Sequence, residues 1–159
     1  MTLDLNINGV ALRPGVPVDP SDLRDNGFRK VGLLKRLVKR PPGGGDIFLA
    51  ENCEATCFRG NFNLYPCTHS YLNRDRQWQT QATVQVVDGK VQRVTLQVLG
   101  GLYAAPNYMS KFEELCTQHM GQPQPSDSGA LVWKKKKLAL QGYLQRDRIN
   151  ADFIIEYQG

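Results

Sequence analysis

Cys53, Cys57, Cys67 and His69 are the residues whose types could hold a metal ion. Zinc takes four ligands in a tetrahedron, and three thiolates with one imidazole would complete the set. The run reads Cys53-x3-Cys57-x9-Cys67-x-His69. Compact zinc sites leave two residues between paired cysteines, and no second close pair follows here, so the spacing argues against zinc. One disulfide within this stretch, or a set of free buried thiols, fits it better, and no cofactor is expected. Cys116 and His119 stand one helical turn apart, the separation a thiol nucleophile and its base would need. Both fall on an apolar helical stripe, where packing is the ordinary role. Ser126-Asp127-Ser128-Gly129 lacks the flanking glycine of a nucleophile elbow, and Gly43-Gly44-Gly45 follows two prolines and opens no helix. Neither builds an activated serine or a phosphate loop.

Charge is the second chemical feature. The chain carries 20 Lys and Arg against 15 Asp and Glu, for a net charge of +5. Six of the basic side chains lie within residues 29–40, and Lys134, Lys135, Lys136 and Lys137 follow one another without an acid between them. Without those ten, the remaining ten Lys and Arg face 15 acids, a balance of −5. The basicity is therefore local. Neither run contains an aromatic residue for stacking on bases, so nucleic acid is not an expected partner. An acidic protein is.

These residues need elements to position them. The stretch from Ala82 to Leu99 alternates apolar and polar residues on both sides of Asp88-Gly89, the pattern of a β-hairpin. A three-residue loop, Val87-Asp88-Gly89, pairs Val84 with Gln92 and Ala82 with Val94. It places Ala82, Val84, Val86, Val94, Leu96 and Val98 on one face. A second hairpin is expected around the lysines, with Trp133 opposite Leu138 and Leu131 opposite Leu140. All four ammonium groups then occupy an exposed loop, with Trp133 beside them. A third pairing sets Leu140 against Ile155, Leu138 against Tyr157 and Gly142 under Phe153. Between the hairpins, Tyr108, Phe112, Leu115, Cys116 and His119 mark an amphipathic helix over 107–120, capped by Asn107 or Ser110.

Upstream, Leu3, Leu5 and Ile7 alternate into a first strand that turns at Asn8-Gly9. Asp19-Pro20 starts a short helix that Asn26-Gly27 closes. Residues 28–40 suit either a basic amphipathic helix, of the kind that lies on anionic membranes, or a strand over 28–34. Pro41-Pro42 and Gly43 to Gly45 form a mobile loop, and residues 53–75 read as an irregular, cysteine-rich crossover or strand pair.

Together these features predict one α+β domain over residues 1–159. Its mostly antiparallel sheet runs β-β-α-β-β-β in the C-terminal half, with one helix on one face. No apolar run approaches the roughly 20 residues of a membrane span. If Met1 is the native start, the chain stays in the cytoplasm; if a signal peptide was removed, it is periplasmic or secreted. The expected function is non-enzymatic: an inhibitor, immunity-type or adaptor protein docking on an acidic partner through Trp133, Lys134, Lys135, Lys136 and Lys137. The alternative is a small-molecule binder or enzyme with a pocket near Cys53–His69.

Overall fold

The computed structural model describes residues 3–32, 44–69 and 72–159. Its framework is an antiparallel sheet of eight strands. In chain order these are β3 (Arg29–Lys30), β4 (Asp46–Glu51), β7 (Gln79–Val87), β8 (Lys90–Leu99), β9 (Gln124–Pro125), β10 (Leu131–Lys135), β11 (Leu138–Leu144) and β12 (Ala151–Tyr157). Across the sheet they run β3-β4-β7-β8-β12-β11-β10-β9. A smaller sheet is ordered β2-β1-β5-β6, from β1 (Asn6–Ile7), β2 (Val10–Ala11), β5 (Ala55–Cys57) and β6 (Phe62–Leu64). Two helices complete the fold, α1 (Pro20–Asp25) and α2 (Ala104–Met120). The chain is thus a mostly antiparallel α+β domain with one main helix.

Alternation sorts the large sheet into two faces. The pairings carry one row straight across six strands: Phe48, Val84, Val94, Ile155, Leu140 and Trp133. All six are buried, the most exposed at 1%. On this inner face lie α2 and the β5–β6 hairpin. Phe112 of α2 packs 4.8 Å from Phe153 of β12, and Phe62 of β6 touches both rings edge-on. Burying rings of this size is the main source of stability for such a domain.

The expected faces are present, but both hairpins reach them by another register. The β7–β8 turn has two residues, Asp88 and Gly89, both with positive φ (52° and 77°). That is the primed turn whose twist matches paired strands. Val84 faces Val94 rather than Gln92, and a bulge makes up the difference: Gln85 pairs with Arg93 and Val86 with Val91, leaving Gln92 extra. The β10–β11 turn is likewise only Lys136-Lys137, with Lys135 opposite Leu138 and Trp133 opposite Leu140. Lys134 and Lys135 therefore belong to a strand. The β11–β12 pairings stand as expected, Leu140 with Ile155, Leu138 with Tyr157 and Gly142 with Phe153.

Helix α2 begins at Ala104, three residues before Asn107, and no side chain caps it. Its start is held by Ala105 N–H donating to the Gly101 carbonyl (3.0 Å). The buried stripe is Ala105, Met109, Phe112, Leu115 and Cys116, with Tyr108 half-buried at its margin. Asp19 caps α1 by accepting from Ser21 N–H (2.9 Å). Asn8 and Gly9 turn β1 into β2 with positive φ. In the ambiguous 28–40 stretch, Arg29–Lys30 is strand and Val31 N–H continues it to Ile47 O (2.8 Å). The remainder of that stretch, from 33 on, and residues 41–43 of the expected mobile loop lie outside the described residues. Residues 53–75 are more regular than expected, since β5 and β6 form a hairpin of the small sheet. No described helix is long and apolar enough to cross a membrane.

Candidate functional site

A cleft of about 1110 Å³ lies between the chain leaving β6 and the first turns of α2. Its geometry follows from alternation. Phe62 and Leu64 point into the core, so Asn61, Asn63 and Tyr65 point out. Beyond them Cys67 pairs its backbone N–H and C=O with Trp78, at 3.0 and 2.9 Å. The Trp78 indole N–H then donates to the Tyr65 carbonyl at 2.6 Å.

The opposite wall is one helix face, with Tyr103, Ala104, Asn107, Tyr108 and Lys111 three or four residues apart. Gly101 sets how close that wall comes. A Cβ there would lie 3.0 Å from the Ala104 Cβ and 3.1 Å from the Trp78 Cβ, so a side chain would push the helix start off Trp78.

Five aromatics are among the described residues that line this cleft: Phe62, Tyr65, Trp78, Tyr103 and Tyr108. Trp78 meets Tyr65 and Tyr108 at 6.4 Å each, and Tyr108 stands edge-on to Phe62 at 5.8 Å. Burial pushes the Tyr108 hydroxyl up to about 12, against a hydrogen bond from the Tyr65 backbone; it stays a neutral phenol at ordinary pH. Tyr65 and Tyr103 remain 51% and 57% exposed. Arg76 and Lys111 supply positive charge from opposite walls, and among the described residues no carboxylate lines the cleft. Lys111 makes one helix-surface pair, 3.6 Å from Glu114, of a kind that adds little to stability.

The thiols are placed differently from a metal site. Cys53 and Cys57 are buried, Cys67 is half-buried at the cleft and His69 is exposed. Among the described residues no three of His, Cys, Asp or Glu come close enough to share a metal ion. The spread of Cys53, Cys57, Cys67 and His69 has a simple cause. Cys53 and Cys57 face the core, whereas the chain after Leu64 leaves the small sheet for Trp78. Burial pushes the Cys57 thiol up to about 12 and raises Cys116 further, with Cys57 adding to the latter. The His119 ring stacks on Phe58 at 5.3 Å and 10°.

Trp133 is not on the expected docking face. It is 1% exposed, edge-on to Phe112 at 6.0 Å, and its indole N–H reaches the Thr117 hydroxyl at 3.3 Å. Alternation places it there: Trp133 shares the face of its partner Leu140, and its side chain falls on the inner row. Lys134, Lys135, Lys136 and Lys137 are all exposed. Three of them border a hollow of about 280 Å³ with Pro14 and Tyr157. This tip and the cleft occupy opposite ends of the strands. Leu138 pairs with Tyr157, whereas the other end of β12 pairs Ala151 with Val98, toward Gly101 and α2. Seven residues of strand separate them by about 20 Å.

Comparison with family models, curated proteins and solved structures finds no match to this chain. The cleft residues Tyr65, Arg76, Trp78, Tyr103 and Lys111 carry no motif in the sequence. Their one signal is negative: each is a large side chain out of phase with the apolar pattern beside it.

Proposed function

We propose that this chain is a non-enzymatic binding protein, an inhibitor or adaptor, that docks an acidic segment of a protein partner in the aromatic cleft. The observation that carries this reading is the lining itself. Tyr65, Trp78, Tyr103 and Tyr108 with Arg76 are the residue types that dominate binding energy at protein interfaces, and Tyr65 and Tyr103 are half-exposed. Arg76 and Lys111, with no lining carboxylate among the described residues, select a negative segment.

The test uses a synthetic Glu-Tyr repeat peptide and a Lys-Tyr repeat of equal length. In a Trp133→Phe background the fluorescence reports on Trp78, since the chain has two tryptophans. The acidic peptide should shift Trp78 emission saturably. Tyr65→Ala should weaken it about tenfold, and Arg76→Gln with Lys111→Gln should abolish its preference over the basic peptide. Equal response to both peptides would overturn the reading.

A second reading places the acidic partner at Lys134, Lys135, Lys136 and Lys137. It is favoured by the turn: Lys136 holds φ of +56°, a conformation in which glycine or asparagine is less strained. Folding alone does not ask for lysine there.

A further inference from the structure

The aromatic cleft runs along the edge of the small sheet. In the order β2-β1-β5-β6 the last strand has β5 on one side only. Asn61, Phe62 and Asn63, consecutive along the chain, all line the cleft. A void over one face of a strand meets every second residue, whereas one that meets neighbours in succession lies at the strand's edge.

The backbone groups that point there follow from bonds on the far side of β5. Asn8 N–H donates to the Glu54 carbonyl at 2.8 Å, and Phe58 N–H donates to the Leu3 carbonyl. In an antiparallel ladder a residue's N–H and C=O point the same way, and those of the next residue point the other way. Glu54, Thr56 and Phe58 therefore turn toward β1, so Ala55 and Cys57 turn toward β6. Ala55 pairs with Leu64 and Cys57 with Phe62. Those pairs hold the hairpin's bonds, and the N–H and C=O of Asn63 point outward. Tyr65, two residues on, shows the same direction. Its backbone gives a hydrogen bond to the Tyr108 hydroxyl, and its carbonyl accepts from the Trp78 indole at 2.6 Å. Tyr108 and Trp78 thus close the edge at Tyr65. Asn63 is exposed, and among the described residues no group closes the edge there in the same way.

On the reading that the cleft takes an acidic segment, we propose that this segment binds as an extended strand, adding to β6 at Asn63. A helix spends its N–H and C=O groups within itself. An extended chain offers one of each to the same side at every second residue, which is what Asn63 can pair with. Strand addition of this kind draws affinity from the backbone and specificity from alternate side chains. The added chain would lie about 4.8 Å from β6, on the side of α2, with Arg76 and Lys111 on opposite walls to meet its acidic side chains.

Amide exchange of the whole chain, followed by NMR with and without the synthetic Glu-Tyr repeat, tests this. Asn63 N–H should exchange quickly in the free chain and about tenfold or more slowly with the peptide. The Phe62 and Leu64 N–H groups, already bonded to β5, should slow less. Asn63→Pro removes the N–H at an edge position, where proline is tolerated. Its melt should stay near that of the wild type, and the peptide's dissociation constant should rise about tenfold. The same repeat stapled into a helix should bind at least about tenfold more weakly than the free repeat. A peptide that shifts Trp78 emission while Asn63 exchanges as in the free chain would overturn the strand and leave the cleft reading standing. So would an unchanged constant for Asn63→Pro, or equal binding of the stapled helix. A peptide that leaves Trp78 emission unshifted would overturn both.

Discussion

Gly142 shows how much one hydrogen atom decides in this core. A Cβ at that position would lie 2.8 Å from Met109 Cε, 3.1 Å from its sulfur and 3.2 Å from Phe112 Cδ2. The glycine is therefore the slot into which α2 settles. Its pairing with Phe153 was legible from the sequence. That Met109 of the expected helix would sit above it was not, because Met109 lies off the aromatic stripe and is far from Gly142 in sequence. Methionine can yield, but Phe112 is held between Phe62, Phe153 and Trp133. Gly142→Val should cost about 1–3 kcal/mol through overpacking, measured by urea unfolding. Unchanged stability would mean that α2 can lift off β11 freely.

At the scale of elements, the two hairpins explain what alternation can and cannot say. A register slip of two residues keeps every side chain on its own face, so the hydrophobic pattern is blind to it. Turn chemistry must choose, and here it chose the two-residue loop and placed the odd residue at Gln92. Helix α2 was displaced for a related reason: its start depends on Gly101 meeting Trp78, a tertiary contact no cap signal reports. The β5 to α2 contact carries a testable titration. Cys57 is held as a neutral thiol, up to about 12 against an ordinary value of 9.0. The unfolded chain ionises first as pH rises, so native stability from this source is complete below about pH 9 and declines between 9 and 12. Urea melts at pH 8, 10 and 11 should show that fall. Cys57→Ala should make it shallower, and an identical decline would place the effect elsewhere.

Over the whole molecule, function was less legible than fold because its candidate surface is assembled from distant segments. Tyr65, Arg76, Trp78, Tyr103 and Lys111 meet only after the small sheet, the large sheet and α2 have packed. The lysine run was visible at once because it is contiguous. The two surfaces make separable demands. Replacing Lys134, Lys135, Lys136 and Lys137 by glutamine should leave the melting temperature within about 2 °C, since all four are exposed. If the tip binds the acidic partner, binding of the Glu-Tyr repeat should slow severalfold at low salt and lose its salt dependence. Unchanged rates would assign recognition to the cleft alone.

The large sheet ends on very short strands. Among the described residues its outermost members are Arg29–Lys30 and Gln124–Pro125, two residues each, one basic and one closed by a proline that has no N–H to donate. Another strand arriving at either side would find one or two bonds, and beyond β9 the next free stretch of β10 carries Lys134 and Lys135, which deter pairing. Growth by the edge is thereby discouraged on both sides. The chain should therefore stay clear and filament-free at concentrations where a sheet of eight strands with open borders would turn to fibre.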